Sequence, residues 1–245
     1  MTISIITITY NAEKWLGRTI KSVLAQTCTD YEYIIVDGAS KDSTFDIVKR
    51  YEPQFKGRLS WKSEPDKGLY DAMNKGITHA KGDFLWFINA GDEIYGKDTL
   101  LHVVNAILSN ADIVYGKACI VNAAGQKVSE HHKVTPPNLH YKHLLNGLVV
   151  CHQAIIVKRA IAGMYNTTYR ICADYDWVIR ALSASHKNVY LDEYVCKFLT
   201  EGVSQKQRKR AWLERFHIMR AHFGLLRTLW AHFVIAVKYP FSIKY

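Results

Sequence analysis

The apolar positions of the chain fall into two alternating rhythms. Residues 2–9 are β-branched almost throughout and end in Tyr10-Asn11, and the run Tyr33-Ile-Ile-Val36 ends in the same manner in Asp37-Gly-Ala-Ser40. A third run, Phe84-Leu-Trp-Phe-Ile88, leads directly into Asn89-Ala-Gly-Asp92. Unbroken apolar runs bounded by polar turns predict parallel strands covered on both faces. The segments between them have helical spacing. Trp15, Leu16, Ile20, Val23 and Leu24 recur every three or four residues, with Lys14, Arg18 and Lys21 on the other face, which predicts an amphipathic helix. Asp42 is placed to N-cap a second helix whose apolar face is Phe45, Ile47 and Val48. Residues 69–80 predict a third, closed by Lys81-Gly82. Strand and helix in alternation imply an α/β fold with a doubly wound, mostly parallel sheet, whose ligands bind beyond the carboxyl ends of the strands.

The middle of the chain is less regular. A helix is expected over residues 98–109, a strand over 111–119 and a hairpin over 120–128 around Ala124-Gly125. His131-His132 and Pro136-Pro137 mark a loop. His152-Gln153 opens a strand through Ile155, Ile156 and Val157, and a helix begins at Tyr175-Asp-Trp-Val. His131, His132 and His152 lack the spacing of a metal site. Near the end, Trp212, Phe216, Met219, Phe223, Leu226, Trp230, Phe233 and Val237 step by three and four, forming a long apolar stripe on one helix or two.

Charge sharpens the view of that tail. Of the formal +10 on 245 residues, +8 falls after residue 205, where nine Lys or Arg face a single acid, Glu214. A basic helix with Trp and Phe on one face suits the headgroup level of an anionic membrane. The apolar run 229–237 is too short for a span of about 20 residues, so binding on the surface is expected. Packing back on the rest of the chain, or a dimer, is the alternative. Five scattered Cys without a Cys-x-x-Cys pair point away from a disulfide framework and toward a reducing compartment. A strand that starts at once leaves no signal peptide expected. The division is an α/β domain over 1–204, in two halves 1–110 and 111–204, and a basic amphipathic helical tail over 205–245.

Asp92, on the first turn after a buried strand, stands where an open α/β sheet would present a metal ion to a diphosphate. Thr7-Ile-Thr-Tyr-Asn11, Val36-Asp-Gly-Ala-Ser-Lys-Asp-Ser-Thr44, Glu64-Pro-Asp-Lys-Gly-Leu-Tyr-Asp-Ala-Met-Asn-Lys-Gly76, Ala80-Lys-Gly-Asp83 and Phe87-Ile-Asn-Ala-Gly-Asp92 occur in order over the first 100 residues, and Ala173-Asp-Tyr-Asp-Trp177 follows. Together these segments resemble family 2 glycosyltransferases of the GT-A fold, of the bacterial surface-polysaccharide type. The resemblance implies an inverting, metal-dependent transfer of a sugar from a nucleotide diphosphate sugar, usually UDP-linked, to a hydroxyl of a glycan or lipid-linked acceptor. It places Thr9 and Tyr10 in the nucleoside pocket, Asp37 on the base, and Asp66 and Lys67 on the uracil and ribose side. Asp92 becomes the ligand of Mn²⁺ or Mg²⁺, with Asn89 a further candidate, and Asp174 the general base. His152 and Trp177 fall on the acceptor side.

The chain departs from the family pattern at two points. The first position of the metal motif is Asn89, which offers an oxygen but no charge, so a cation there leans on Asp92, the phosphates and water. The acid usual before the base is Ala173. The residue types still answer the chemistry: a departing diphosphate needs its charge stabilised, and an attacking hydroxyl needs a carboxylate to take its proton.

Other readings of the same residues exist. Asp37 suits a turn, Asp92 and either Asp174 or Asp176 a helix N-cap, and Lys67 a solvated surface. A sugar-phosphate nucleotidylyltransferase would show a Gly-rich loop after the first strand, where Tyr10-Asn-Ala-Glu13 stands. A dehydrogenase would show Gly-x-Gly-x-x-Gly there. A nucleic-acid-binding protein could use the basic tail, but no nucleic acid is expected. The expected location is cytoplasmic, peripheral on the inner face of the cell membrane.

Overall fold

The computed structural model describes residues 2–130, 135–200 and 207–238. In chain order the strands are β1 (Ile3–Thr9), β2 (Tyr31–Asp37), β3 (Leu59–Ser63), β4 (Phe84–Phe87), β5 (Glu93–Ile94), β6 (Ile113–Val121), β7 (Lys127–Glu130), β8 (Ile155–Lys158) and β9 (Asn188–Leu199). The helices are α1 (Leu16–Leu24), α2 (Thr44–Tyr51), α3 (Leu69–His79), α4 (Thr99–Ile107), α5 (Arg159–Ala162), α6 (Ala173–Ala184), α7 (Arg208–Phe223) and α8 (Leu225–Lys238).

One sheet runs β3-β2-β1-β4-β8-β6-β9-β5, with β7 paired to β6 beside that path. Its first four strands are parallel, as the alternation of strand and helix requires. The second half is mixed: β8 lies antiparallel to both β4 and β6, β9 parallel to β6, and β5 antiparallel to β9.

Strand β1 shows why both faces are apolar. Ile3 and Ile5 enter one core with Leu16, Ile20 and Val23 of α1, Val48 of α2 and Val103 of α4. Ile6 and Ile8, pointing the other way, enter a second core with Tyr70 and Met73 of α3 and Trp177 and Val178 of α6. Successive residues of a strand face opposite sides, so a run of Ile supplies two cores at once. Helices on both faces leave one outlet for polar groups, the loops at the strand ends.

Several boundaries move from the sequence reading. Ser43, not Asp42, is the N-cap of α2; Asp42 instead accepts from the Thr44 and Glu13 amides at 3.0 and 3.1 Å. Helix α3 ends at His79 with Ala80 already extended. His152 does not open a strand: residues 152–154 form a 3₁₀ turn ahead of β8. His131 and His132 lie outside the described residues. The apolar stripe of the tail is divided. Gly224, at φ +82°, occupies a left-handed conformation that only glycine adopts at no cost and separates α7 from α8. Ile218, Met219 and Phe223 join the second core, whereas Trp212, Leu226, Trp230 and Phe233 remain exposed.

Candidate active site

The parallel register sets the first group of residues side by side. Thr9 lies opposite Asp37, and Asp37 opposite Ser63, in one row across the ends of β1, β2 and β3. The Asp37 carboxylate is buried and accepts from Ser63 Oγ at 2.6 Å, from the Ser40 amide at 3.0 Å and from the Ser40 hydroxyl. A carboxylate has about four acceptor positions, so capacity for a further donor remains. The Gly38 amide donates to the Thr9 carbonyl at 2.9 Å and the Glu64 amide to the Asp37 carbonyl at 3.0 Å, drawing three loops together.

Gly38 is where the loops touch. A Cβ added there would stand 2.4 Å from Asp66 Oδ2 and 3.2 Å from the Tyr10 ring; no side chain fits without moving Asp66. Tyr10, Asp37 and Asp66, distant in sequence, therefore meet around one glycine. The Tyr10 ring is 61 % exposed, free to lie against a planar base. Asp66 accepts from the Gly68 amide at 2.8 Å. Lys67 stands exposed beside it, its amide bonded to Asp71 at 2.9 Å. The Thr9 hydroxyl is buried with no hydrogen-bond partner, an arrangement that costs about 1–3 kcal/mol until something bonds it.

The turn after β4 is built by α1. The Thr19 hydroxyl accepts from the Gly91 amide at 2.9 Å and donates to the Asp92 carbonyl at 2.7 Å, while the Asp92 amide closes on the Asn89 carbonyl at 2.9 Å. The Asp92 side chain points inward, 4 % exposed, accepting from the Leu199 amide at 2.9 Å and from the Gln153 side chain. Burial pushes its carboxyl up to about 7, against the lowering effect of the two hydrogen bonds and the Arg18 charge. Asn89 Oδ1 is buried and without a partner. Among the described residues no group of three or more His, Cys, Asp or Glu could hold a metal ion. Two oxygen donors, Asn89 Oδ1 and the Asp92 carboxylate, fit a Mg²⁺ or Mn²⁺ ion that arrives on a diphosphate and keeps water ligands, rather than an all-protein cage.

Asp174 lies on the first turn of α6, whose N-cap is Cys172, so neither Asp174 nor Asp176 caps the helix. Asp174 Oδ1 accepts from the Tyr70 hydroxyl at 3.1 Å and the Tyr175 amide at 2.8 Å. The Tyr70 hydroxyl is shared with the Ile171 carbonyl at 2.7 Å. Asp176 turns away to His222 and Arg180, both at 2.8 Å; burial opposes its charge, but these partners hold its carboxyl below the usual range.

An aromatic layer lies beneath Asp174. Tyr165 stacks on Tyr70 and Trp177, at 5.6 and 5.1 Å between centroids, and its hydroxyl meets His152 Nε2 at 2.7 Å. Burial holds the His152 pKa below its usual value, the Asp174 charge acting the other way. His152 is buried, and Trp177 is fully buried with its indole N–H donated to the Gly163 carbonyl at 3.1 Å. Trp177 thus supports the site from below and presents no surface to an acceptor, a correction of the sequence expectation. His152 feels the Asp174 charge and the adjacent Gln153 bonds Asp92, so the two acids flank one dipeptide.

Tyr70, Gln153 and the serines around Asp37 were not singled out from sequence. Tyr70, Ser40 and Ser63 sit in or beside the motif segments; Gln153 carries no local signal.

Comparison with known proteins decides the family. The sequence model of glycosyl transferase family 2 matches residues 4–165. The chain belongs to glycosyl transferase family 2. This glycosyltransferase is 36 % identical over 185 residues to a PGL/p-HBAD biosynthesis glycosyltransferase of Mycobacterium tuberculosis, covering 74 % of this chain and 69 % of that protein. It is 23 % identical over 248 residues to an uncharacterized glycosyltransferase of Haemophilus influenzae, covering 99 % and 97 %. Among solved structures it resembles S. aureus TarS 1-349 in complex with UDP, with a TM-score of 0.76 at 20 % identity over 100 % of this chain and 75 % of that one. The mannosyltransferase PcManGT from Pyrobaculum calidifontis, in complex with GDP-Man and Mn²⁺, gives a TM-score of 0.64 at 16 % identity, covering 96 % and 75 %. The α/β architecture of this glycosyltransferase is thus the GT-A fold, with helices α7 and α8 appended.

Proposed function

We propose that this glycosyltransferase transfers a sugar from a UDP-sugar to an acceptor hydroxyl with inversion. The observation that carries the reading is the convergence of Tyr10, Asp37 and Asp66 on Gly38, together with two buried polar atoms that lack partners, Thr9 Oγ1 and Asn89 Oδ1. The Tyr10 ring packs on the base, Asp37 accepts from it, and Asp66 and Lys67 close the ribose side. Thr9 Oγ1 gains the partner it lacks. Asn89 and Asp92 would hold Mn²⁺ or Mg²⁺. When bound, that ion supplies positive charge to the departing diphosphate.

The nucleophile is served by Asp174. Its Oδ1 is fixed by Tyr70 and the Tyr175 amide, leaving Oδ2 to take the proton of the acceptor hydroxyl as that oxygen attacks the anomeric carbon. With one carboxylate acting as base and no covalent intermediate, attack opposite the leaving group inverts the configuration.

The acceptor is read as a glycan or a lipid-linked carrier used in bacterial cell-surface polysaccharide synthesis. Support comes from the tail, where Leu226, Trp230 and Phe233 of α8 and Trp212 of α7 are exposed beside Arg220 and Arg227. An apolar, aromatic face with Arg nearby in sequence suits an anionic bilayer surface and supports the reading of a peripheral enzyme on the inner face of the membrane. No helix among the described residues is long and apolar enough to cross a membrane.

The test is UDP release from an equimolar mixture of UDP-glucose, UDP-galactose and UDP-N-acetylglucosamine, with Mn²⁺ and a bacterial lipid extract as acceptor. Wild type is expected to turn over. Asp174→Asn is expected to lose about 10²–10⁴-fold in kcat, the usual contribution of a general base, while still binding UDP. Undiminished turnover by Asp174→Asn would remove the assigned base.

A further inference from the structure

The one acid of the basic tail does not face solvent. Glu214 of α7 is 7 % exposed and reaches across to the segment that leads into α6. Its Oε1 accepts from the Arg170 amide at 2.9 Å, and its Oε2 from the Ile171 and Cys172 amides at 2.8 and 3.1 Å. Arg210, one turn earlier on α7, binds Oε1 from the other side at 2.9 Å. Burial opposes the charge, but the three amides and Arg210 hold the carboxyl below its usual range. A carboxylate that accepts three consecutive backbone amides leaves those residues little conformational freedom.

Those amides lie immediately ahead of Asp174. Cys172 is the N-cap of α6, and the Ile171 carbonyl accepts from the same Tyr70 hydroxyl that bonds Asp174. Glu214 and Tyr70 therefore grip the peptide at 171 from its two ends, one at the N–H and the other at the C=O. We propose that Glu214 is a positioning residue for the base: through the amides of residues 170–172 it fixes the start of α6, and with it the direction of the Asp174 carboxylate. Glu214 touches neither donor nor acceptor. The inference rests on the assignment of Asp174 under Proposed function.

The expected loss is in turnover and not in donor binding. Glu214→Gln keeps the size of the side chain, but its amide NH₂ meets backbone donors and leaves at least one of them without a partner. Turnover is measured as UDP release from the same three-sugar mixture, per site counted by UDP titration. Glu214→Gln is expected to lower kcat per site at least tenfold, with the apparent KM for the donors and the Kd for UDP within twofold of wild type. Glu214→Asp, which retains the carboxylate, is expected to lose less. Met219→Ala, a large-to-small change in the buried face of the same helix, weakens the packing of α7 but leaves the Glu214 carboxylate and its amide donors intact; its kcat per site is expected to stay within twofold of wild type.

A purely structural role would lower the number of UDP sites and leave kcat per site intact. The proposal is overturned if Glu214→Gln keeps kcat per site within twofold of wild type, or if Met219→Ala reproduces the loss. Should Glu214→Gln fail to fold, Glu214→Asp carries the test, and undiminished kcat per site in that variant overturns the proposal. Asp174→Asn separates the two levels. If it turns over like wild type, the base assignment falls and this proposal with it; if it is inactive while Glu214→Gln is unaffected, only the positioning role falls.

Discussion

Asp92→Asn is expected to stabilise the unliganded fold, with a gain set by pH. The Asp92 carboxyl lies almost fully out of water with two donors for support, and its pKa rises from 3.8 to about 7. The native state thus holds a proton that the unfolded chain releases. Stability is fully present below about pH 4 and falls as pH rises, until the group has ionised in both states above about pH 7. At about 1.4 kcal/mol for each tenfold change in proton affinity, the displacement corresponds to a penalty of about 4 kcal/mol at pH 8. Asn keeps an acceptor for the Leu199 amide, and the hydrogen bonds to the ionised carboxylate are already counted in the raised pKa. The gain at pH 8 is then about 4 kcal/mol, a rise in Tm of about 8–16 °C for a chain of this size.

The assay is thermal and urea unfolding of both proteins from pH 4.5 to 8.5, reading the difference between them so that other titrating groups cancel. The difference is expected to be small at the acid end, to grow steadily up to about pH 7 and to level off above it. A difference that is flat with pH would refute the reasoning, because it would show that Asp92 carries the same charge in the folded and unfolded chain. Adding Mn²⁺ with UDP at pH 8 is expected to narrow the gap, since a bound cation favours the ionised wild-type carboxylate and gains less from Asn.

Two other perturbations test the donor pocket and the tail. Gly38→Ala places a methyl where Asp66 Oδ2 lies 2.4 Å away; calorimetry is expected to show at least tenfold weaker UDP binding, and unchanged affinity would mean Asp66 does not line that pocket. The double change Trp230→Ala with Phe233→Ala removes two exposed rings at little cost in stability, and co-sedimentation with phosphatidylglycerol vesicles is expected to fall at least fivefold, whereas retention equal to wild type would assign the surface to another partner.

The legible part of this protein was local. Continuous Ile and Val runs in β1 and β2 announced strands buried on both faces, because each side chain must find an apolar partner on its own side of the sheet. The polar residues at the strand ends could be located from sequence because a parallel sheet with helical crossovers brings those ends to one edge. Tyr10, Asp37 and Asp92 were placed in this way, whereas Thr9 and Asp66 came from the family resemblance.

What the sequence left open depends on contacts between distant segments. Nothing local says that Asp92 turns inward to the Leu199 amide, since that partner stands 107 residues away. The motif around Trp177 does not reveal that the ring is walled in by Tyr165 and Phe87. The tail offers the sharpest contrast: its period marked one apolar stripe, but which rings face the core depends on where Gly224 breaks the helix and on the groove that α6 presents. Composition singled out Glu214 as the one acid among nine basic residues, yet its meaning came only when α7 packed against residues 170–172. Periodicity can determine which residues are apolar together, because spacing along a helix or strand is fixed by backbone geometry. Partners across the fold follow from tertiary packing, which alone decides which polar atom finds which.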